Sequence, residues 1–204
     1  MAWLAVSAKA EIDVHETYPK QTWRNRCSIP SANGPLALSI PVEKPFGNHT
    51  PSRLVEISTH LPWQKQHWRS IESAYSKSAF FLFYRDMLEP FYHEKPPALL
   101  VDWNERLLIA LSGEIGLKIK PVRTKDFEKV PEGKIDLRQV ISPKNRAKQE
   151  THNGFFPSYF QAFFEKYGFL PNQSIIDLLF NFGPDTMDYL RSCGQKLLDQ
   201  FRPG

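Results

Sequence analysis

The sequence predicts an α/β fold, a single domain with a mixed sheet and packed helices, and two observations lead to this prediction. Strand-like segments fill the early part of the chain while helical periodicity dominates the later part, and another strand-like segment returns near Ile119. An α+β arrangement is a close second interpretation. The 204 residues include 15 Phe, 7 Tyr and 5 Trp, so residues 1–204 can bury the core of one compact domain.

The strands are predicted from alternation of apolar and polar residues and from turn signals. Ser31 to Gly34 reads as a turn between two alternating segments, which predicts a β-hairpin. The segments that read as strands are residues 11–16, 25–30, 35–42, 54–58, 117–122 and 135–141.

The helices are predicted from the spacing of apolar residues, for residues 63–92, 100–116, 160–167, 174–181 and 185–201. The first is expected to break near residues 77–78 or at Pro90, and the second to end at Gly116. Residues 182–204 form an amphipathic C-terminal helix that belongs to the same domain. Its apolar stripe consists of Met187, Leu190, Gly194, Leu197 and Phe201.

Composition and charge indicate a soluble protein. The mean hydropathy is −0.43 and the net charge is +4, spread along the chain rather than concentrated in one block. No apolar run approaches the roughly 18 residues that a membrane span needs, and the N-terminus does not resemble a secretory signal. We therefore expect a cytoplasmic protein. Cys27 and Cys193 fit no metal-binding spacing, so no metal site is predicted, and the cofactor is left unknown.

Two short stretches combine aromatic rings with groups that donate several hydrogen bonds. The first runs from Lys20 to Arg26 and the second from Trp63 to Tyr75. Ordinary surface segments rarely concentrate Trp, Arg, Asn and His in this way. Their density predicts a polar and anionic small-molecule ligand held between planar side chains.

In the second stretch, helical geometry places His67 in the middle of the apolar stripe. Trp68 and Tyr75 lie on one shoulder of that stripe, where they could provide a stacking surface. Two interpretations of His67 remain open. It is either a core residue with satisfied ring nitrogens or a catalytic acid/base at the floor of a pocket.

In the first stretch, alternation places Trp23 and Asn25 on one face of a strand and both arginines on the other. Arg24 or Arg26 could hold a phosphate, because a guanidinium matches phosphate geometry with two hydrogen bonds. Either could instead pair with an acidic residue of a neighbouring strand. Asn25 could equally fix a ligand or close a gap in the backbone hydrogen bonding.

Three further residues are candidates with strong structural alternatives. His15 ends a strand, where α/β proteins often contact ligands, but no second His at helical spacing supports a metal role. Asp177 follows Ser174 in the manner of a capping box, although it could also orient His67 in catalysis. The arginines near Cys27 would favour a nucleophilic thiolate, whereas a small half-buried strand residue is the simpler interpretation.

Several of these motifs together resemble the WbqC-like proteins, a family named for a component of a bacterial O-antigen gene cluster. The resemblance extends over nearly the whole chain, and the form of the chain is similar to the Bacteroidetes-type branch of the family. It is carried by residues 20–26, by Asn33-Gly34-Pro35 with residues 38–42, by His67 with Ile71 and Tyr75, and by residues 169–181.

The resemblance implies a role in surface-polysaccharide biosynthesis, with a transferase activity that the family name does not specify further. The positions it marks are Trp23, Asn25, Arg26, His67, Tyr75, Ser174 and Asp177. Three departures accompany it, one of which is Gln173 in place of an apolar residue next to the N-cap of the helix that starts at Ser174. The family normally begins with a strand that this chain is expected to lack, and residues 143–156 are shorter than the corresponding insertion in the broader family.

Three functions follow as hypotheses. The first is a transferase of glycan assembly that acts on an activated or amino sugar, for example an acyl or aminoacyl transferase. Its expected partners are other enzymes of glycan assembly. The second is a non-catalytic binding or scaffold protein of the same pathway. The third, nucleic-acid binding, is disfavoured because acidic residues interrupt the basic ones and no recognised module is present. The basic residues concerned are Arg24, Arg26, Lys144, Arg146 and Lys148.

Overall fold

The computed structural model describes residues 1–20, 22–138, 140–141 and 154–201, with only the backbone for Phe201. The strands are β1 Glu11–Ile12, β2 Arg26–Ser31, β3 Gly34–Ser39, β4 Val42–Glu43, β5 Glu56–Ile57 and β6 Val122–Arg123. The helices are α1 Ala2–Ala5, α2 Trp63–Tyr75, α3 Phe81–His93, α4 Leu100–Ile115, α5 Phe164–Tyr167, α6 Ile175–Phe182 and α7 Thr186–Phe201. The mixed α/β class is confirmed.

The predicted hairpin is confirmed as the antiparallel pair β2–β3. Its register runs from Arg26 opposite Ser39 to Ser31 opposite Gly34, and Gly34 has a positive φ of 96° that favours glycine at this turn. Beyond the hairpin's open end, the Asn25 carbonyl accepts from the Ile40 N–H at 2.7 Å. The Asn25 amide Nδ2 donates to the Ile40 carbonyl at 3.0 Å. The side chain of Asn25 therefore continues the ladder.

The other strands form small sheets rather than one continuous mixed sheet. Within the described residues, β1 pairs in parallel with β6, and β4 pairs antiparallel with β5. The strand predicted for residues 11–16 ends early because the Asp13 carboxylate accepts from the N–H groups of His15 and Glu16 at 2.9 and 3.1 Å. The strand predicted for residues 135–141 is absent from the described part of that segment.

The helices largely follow the sequence predictions. The first predicted helix is divided into α2 and α3, with the break at residues 76–80. Pro90, the alternative breakpoint, lies inside α3 without ending it. Gly116 ends α4 in the left-handed conformation at φ 79°, as predicted. The described helices include none that combines the length and apolar character needed to cross a bilayer.

Buried apolar residues form two clusters. The main cluster lies where the hairpin meets α2, α3, α6 and α7, and it includes the fully buried Ile29, Ile71 and Phe180. The second cluster contains Tyr18, Ile40, Val55, Ile57, Trp63, Leu100 and Trp103. Burying a large apolar side chain stabilises a fold by roughly 1.5–3 kcal/mol, so both clusters contribute substantially. Asp177 borders the main cluster through its neighbours Ile176 and Leu178, and His67 borders the second cluster through Trp63.

The short helix α1 docks tightly on α7 at Gly194. A Cβ atom at Gly194 would lie 2.3 Å from the Ala2 carbonyl oxygen and 2.9 Å from a methyl of Val6. Only glycine permits this approach without a shift of one helix. The contact matters for function because α1 and α7 together provide part of a cavity wall.

Candidate functional site

The most extensive buried polar network centres on Asp177, in the first turn of α6. Its side chain is fully buried. The Tyr159 hydroxyl donates to Asp177 Oδ2 at 2.6 Å, and Gln161 Nε2 donates to the same oxygen at 2.7 Å. Asn181 Nδ2 donates to Oδ1 at 3.3 Å. We call these four residues the carboxylate cluster.

Burial and hydrogen bonding act in opposite directions on Asp177. Burial raises the pKa of the carboxyl, while the hydrogen bonds from Tyr159 and Gln161 work against that rise. The pKa of Tyr159 is strongly raised, first by burial and then by the neighbouring negative charge. The phenol therefore keeps its proton at neutral pH and shares it with the carboxylate.

Tyr75, a predicted binding residue, lies at the back of this cluster. Its side chain is fully buried, and the pKa of its phenol is raised well above 10.0 by burial and by the charge of Asp177. Its hydroxyl has no partner of ordinary hydrogen-bond geometry. Tyr75 thus faces the carboxylate from inside the core rather than a ligand.

Gln161 fixes the loop that carries Tyr159. Its amide Nε2 donates to both the Leu170 carbonyl, at 2.9 Å, and Asp177, while its Oε1 accepts from the Leu170 N–H at 2.8 Å. Both amide hydrogens and the carbonyl are therefore used. This arrangement holds the Tyr159 hydroxyl against Asp177 of α6, although Tyr159 itself lies in a loop without regular secondary structure.

The start of α6 differs from the predicted capping box. Ser174 is the N-cap residue, but its hydroxyl does not cap the helix. The Asp177 carboxylate accepts hydrogen bonds from Tyr159 and Gln161 instead of bonding to the Ser174 N–H. The Ser174 N–H donates to the Ser28 carbonyl at 2.8 Å, which anchors α6 on the hairpin. Burial raises the pKa of the Cys27 thiol, an effect that the nearby Ser174 partly opposes. This burial favours the structural interpretation of Cys27.

Tyr159 also forms part of the wall of a cavity of about 230 Å³. Trp23 stands at its rim with 39% of its surface exposed, so we call it the Trp23 cavity. Tyr189 and Gln173 add polar groups, and every described side chain that lines the cavity is uncharged. Apolar side chains complete the wall, among them Ile175 and Leu178 of α6 and Leu190 and Leu197 of α7.

The two arginines next to Trp23 have different partners. Arg24 Nη2 forms an ion pair with the Glu16 carboxylate, and its Nη1 donates to Thr22 Oγ1 at 3.2 Å. Arg26 lies over the Trp23 ring, with its guanidinium carbon 5.4 Å from the ring centroid. Its Nε donates to the Thr22 carbonyl at 3.0 Å. The ion pair predicted as an alternative for one arginine is therefore made by Arg24.

His67 lies in the second apolar cluster, away from the wall of the Trp23 cavity. Its Nε2 is 3.2 Å from the Ser39 carbonyl oxygen, and its ring makes an edge contact with Trp63 at 5.2 Å. Burial lowers the pKa of His67. His67 and Asp177 thus bond to different partners, and the proposed orientation of His67 by Asp177 is not seen.

The structure does bring His67 and the first aromatic stretch together, but at the hairpin backbone. His67 approaches the Ser39 carbonyl, Asn25 bonds to Ile40, and Arg26 pairs with Ser39 in the sheet. These contacts are internal. Trp68 is likewise buried and stacks on Tyr92 at 5.7 Å. Of the predicted binding residues, Trp23 lines the cavity.

His15 follows β1, with its Nε2 3.2 Å from the carbonyl oxygen of Thr124, which follows β6. A larger cleft of about 660 Å³ borders this region. Its carboxylates are already engaged by cations, in the ion pairs Glu11–Lys134, Glu128–Lys134, Asp13–Arg138 and Asp136–Arg138. These four carboxylates are therefore already paired with Lys134 or Arg138 and have little capacity left for a ligand.

The described residues contain no group of three or more His, Cys, Asp or Glu side chains placed to hold a metal ion. Three basic residues named for the nucleic-acid hypothesis, Lys144, Arg146 and Lys148, lie outside the described residues.

Sequence reasoning missed Tyr159 and Gln161 as partners of Asp177. A helix was predicted for residues 160–167, which would include Gln161, but the observed helix α5 begins at Phe164 and leaves Gln161 in the preceding loop. A buried glutamine gives no periodic pattern in a loop, and its partners lie 9 and 16 positions away. The available signal was the unusual sequence Tyr159-Phe160-Gln161, in which an amide follows two large rings.

Comparison with known proteins supports the resemblance noted from the motifs. The model of the WbqC-like protein family matches residues 12–152. The chain belongs to this family. It is also 30% identical over 199 residues to a Mycobacterium tuberculosis protein named "Uncharacterized protein Rv1507c", a similarity that covers 87% of this chain and 85% of the relative. No solved structure matches the chain.

Proposed function

We propose that this WbqC-like protein is a transferase of bacterial surface-polysaccharide assembly that acts on an activated or amino sugar in the Trp23 cavity. The observation that carries the proposal is the position of Tyr159, which lines this cavity while its hydroxyl bonds to the buried Asp177 at 2.6 Å. A polarised phenol beside an aromatic rim suits proton transfer on a polar, ring-shaped substrate.

The cavity dimensions support a sugar or acyl group rather than an entire nucleotide-sugar. Its volume of about 230 Å³ lies below the roughly 300–1,000 Å³ of pockets that enclose drug-sized ligands. The exposed face of Trp23 can stack on the apolar face of a sugar ring. The rest of an activated substrate would then extend past Trp23 towards solvent.

The proposed chemistry uses the carboxylate cluster as a proton acceptor. A hydroxyl or amino group of the acceptor attacks the donor, forming the new bond as the activating group leaves with its bonding electrons. The proton lost by the attacking group passes to the Tyr159 oxygen, and the phenolic proton of Tyr159 passes to Asp177 Oδ2. The raised pKa of Asp177 makes this carboxylate a better proton acceptor than an exposed one.

Thermal unfolding in the presence of candidate ligands tests the proposal. A ligand that binds the folded state at 100 times its Kd stabilises the protein by about 2.7 kcal/mol, which is a clear rise in Tm. We expect such a rise with sugar phosphates or amino sugars. If a panel of sugars, nucleotide-sugars and acyl donors produces no shift with folded protein, the proposal is wrong.

The second candidate is a non-catalytic binding or scaffold protein for other enzymes of glycan assembly. The observation in its favour is that the carboxylate of Asp177 is already bonded by three internal donors, as in a purely structural core. Replacing Tyr159 with Phe distinguishes the candidates, because a scaffold keeps pathway output after this change whereas a transferase loses it.

His67 retains the proton-transfer role predicted from the sequence only as a separate hypothesis. Its ring is packed against Trp63 and its Nε2 approaches a backbone carbonyl. His67→Ala should therefore lower stability more than it changes catalysis. A large loss of turnover at unchanged stability would restore His67 to the reaction.

A further inference from the structure

We propose that Arg26, and not Arg24, binds the phosphate group of the ligand at the mouth of the Trp23 cavity. This inference rests on the proposed function, since it concerns the charged end of the same sugar ligand. It assigns a phosphate subsite to one guanidinium and separates two adjacent arginines that have identical chemistry.

Arg24 is already neutralised. Its Nη2 pairs with the Glu16 carboxylate, and its Nη1 and backbone N–H both donate to Thr22 Oγ1, at 3.2 and 3.1 Å. The Arg24 carbonyl also accepts from Asn104 Nδ2 at 2.7 Å. These contacts fix Arg24 as a structural residue. A phosphate there would have to displace a carboxylate from its guanidinium.

Arg26 is oriented but not neutralised. Its Nε donates to the Thr22 carbonyl at 3.0 Å, which leaves the fork of Nη groups for another acceptor. In the part of the chain that the structure describes, no carboxylate forms an ion pair with Arg26. A guanidinium held by Nε can offer two parallel hydrogen bonds to a phosphate with little additional ordering.

Trp23 connects this guanidinium to the cavity. The ring of Trp23 lines the cavity, and the Arg26 guanidinium lies over the same ring at 5.4 Å from its centroid. A sugar stacked on Trp23 would therefore place its phosphate within reach of Arg26. Among the described residues that line the cavity none has a charged side chain, so a side-chain cation for a phosphate must come from the surroundings of the cavity.

Isothermal titration with matched ligands tests this assignment. The probes are glucosamine, glucosamine 1-phosphate and inorganic pyrophosphate, measured on the unmodified protein and on Arg26→Gln, Arg26→Lys and Arg24→Gln. Loss of a charge-assisted pair corresponds to a change of about tenfold or more in affinity. We expect Arg26→Gln to weaken glucosamine 1-phosphate and pyrophosphate by at least this factor while leaving glucosamine unchanged.

The controls separate this inference from the proposed function. Arg26→Lys should retain part of the phosphate affinity because it keeps the charge but loses the fork. Arg24→Gln should lower Tm and leave the phosphate affinity unchanged. If Arg24→Gln instead removes it, or if the unmodified protein binds glucosamine 1-phosphate no better than glucosamine, the assignment to Arg26 is wrong although the sugar site stands. If none of the three probes binds, the inference and the sugar site both fail.

Discussion

The carboxylate cluster and the surroundings of His67 are built from similar residues but differ in what they leave available. Each buries a titratable side chain, Asp177 in the first and His67 in the second, among aromatic rings. Asp177 is held by side-chain donors, one of which, Tyr159, also lines a cavity. His67 approaches a backbone carbonyl and is enclosed by Trp63 and Tyr92.

This difference teaches that aromatic and polar density does not by itself identify a functional site. Rings around His67 fill the space that a ligand would need, whereas the rings around Tyr159 leave a cavity open beside it. A buried polar group becomes useful for chemistry when one of its hydrogen-bond partners is also accessible.

The largest expected contrast is in the free energy of unfolding, when the central residue of each region, Asp177 or His67, is replaced by alanine. Asp177→Ala removes the acceptor of the Tyr159 hydroxyl and of one Gln161 amide hydrogen, so we expect a loss of about 4 kcal/mol. His67→Ala removes a packed ring but strands no side-chain donor, and should cost about 2 kcal/mol. Urea unfolding of both variants measures the contrast. Equal losses would mean that the two regions do not differ as described.

Gly194→Ala should disturb the Trp23 cavity selectively. Its Cβ would lie 2.3 Å from the Ala2 carbonyl, so α1 must shift, and we expect a loss of about 2 kcal/mol together with weaker ligand binding. The matched control is Gly113→Ala in α4, where a Cβ meets nothing within 4 Å. That change should stabilise the protein by up to about 1 kcal/mol. A stable Gly194→Ala variant would contradict the tight contact.

Tyr159→Phe tests the connection between carboxylate and cavity. It removes one hydrogen bond, so stability should fall by only about 1 kcal/mol, while a transferase rate should fall by roughly 10²–10⁴. Tyr189→Phe is the control, because Tyr189 lines the same cavity but donates to the Pro157 carbonyl at 2.7 Å. Equal rate losses in both variants would exclude a special role for the bond to Asp177.

The pH dependence of stability should have opposite signs in the two regions, and this is the smallest expected effect. The pKa of Asp177 is raised above 3.8, so its contribution to the free energy of unfolding falls as pH rises from 3.8 through the folded pKa. The pKa of His67 is lowered below 6.5, so its contribution falls as pH decreases from 6.5 through the folded pKa.

Subtracting the stability of Asp177→Asn and of His67→Gln from that of the unmodified protein isolates each contribution. The difference curve for Asp177 should slope downward with pH in the acidic range, and the curve for His67 should slope upward towards neutral pH. Slopes of the same sign would contradict the assigned causes of the two pKa shifts.

The fold could be predicted where local chemistry determines it. The turn residues 31–34 correctly predicted the hairpin, and Gly116 correctly predicted the end of α4. Pro90 misled because a proline within a packed helix can be tolerated when tertiary contacts support the helix. The strand predicted for residues 11–16 was too long, because the Asp13 carboxylate binds the N–H groups of His15 and Glu16 and ends β1 early.

The candidate site was only partly readable from the sequence. Trp23 was found because its stretch combines rings and donors in consecutive positions. The structural difference between Arg24 and Arg26 depends on Glu16, which forms an ion pair with Arg24. The partners of Asp177 arise from a loop that folds back on α6, and no local pattern records such a contact. The inward position of His67 was predicted from helical spacing. Its hydrogen-bond acceptor could not be predicted, because it is the backbone carbonyl of Ser39 and every residue has such a group.

Gln161 has a consequence for the motions of the molecule. Since the Leu170 N–H is bonded to a buried side chain rather than to water, its hydrogen should exchange with deuterated solvent as slowly as those of α6, although Leu170 lies between helices. This N–H can exchange only when its hydrogen bond to Gln161 Oε1 breaks. The same movement of the Gln161 side chain would break its hydrogen bond to Asp177. A single loop amide would thus act as a natural reporter of the integrity of the neighbouring cavity.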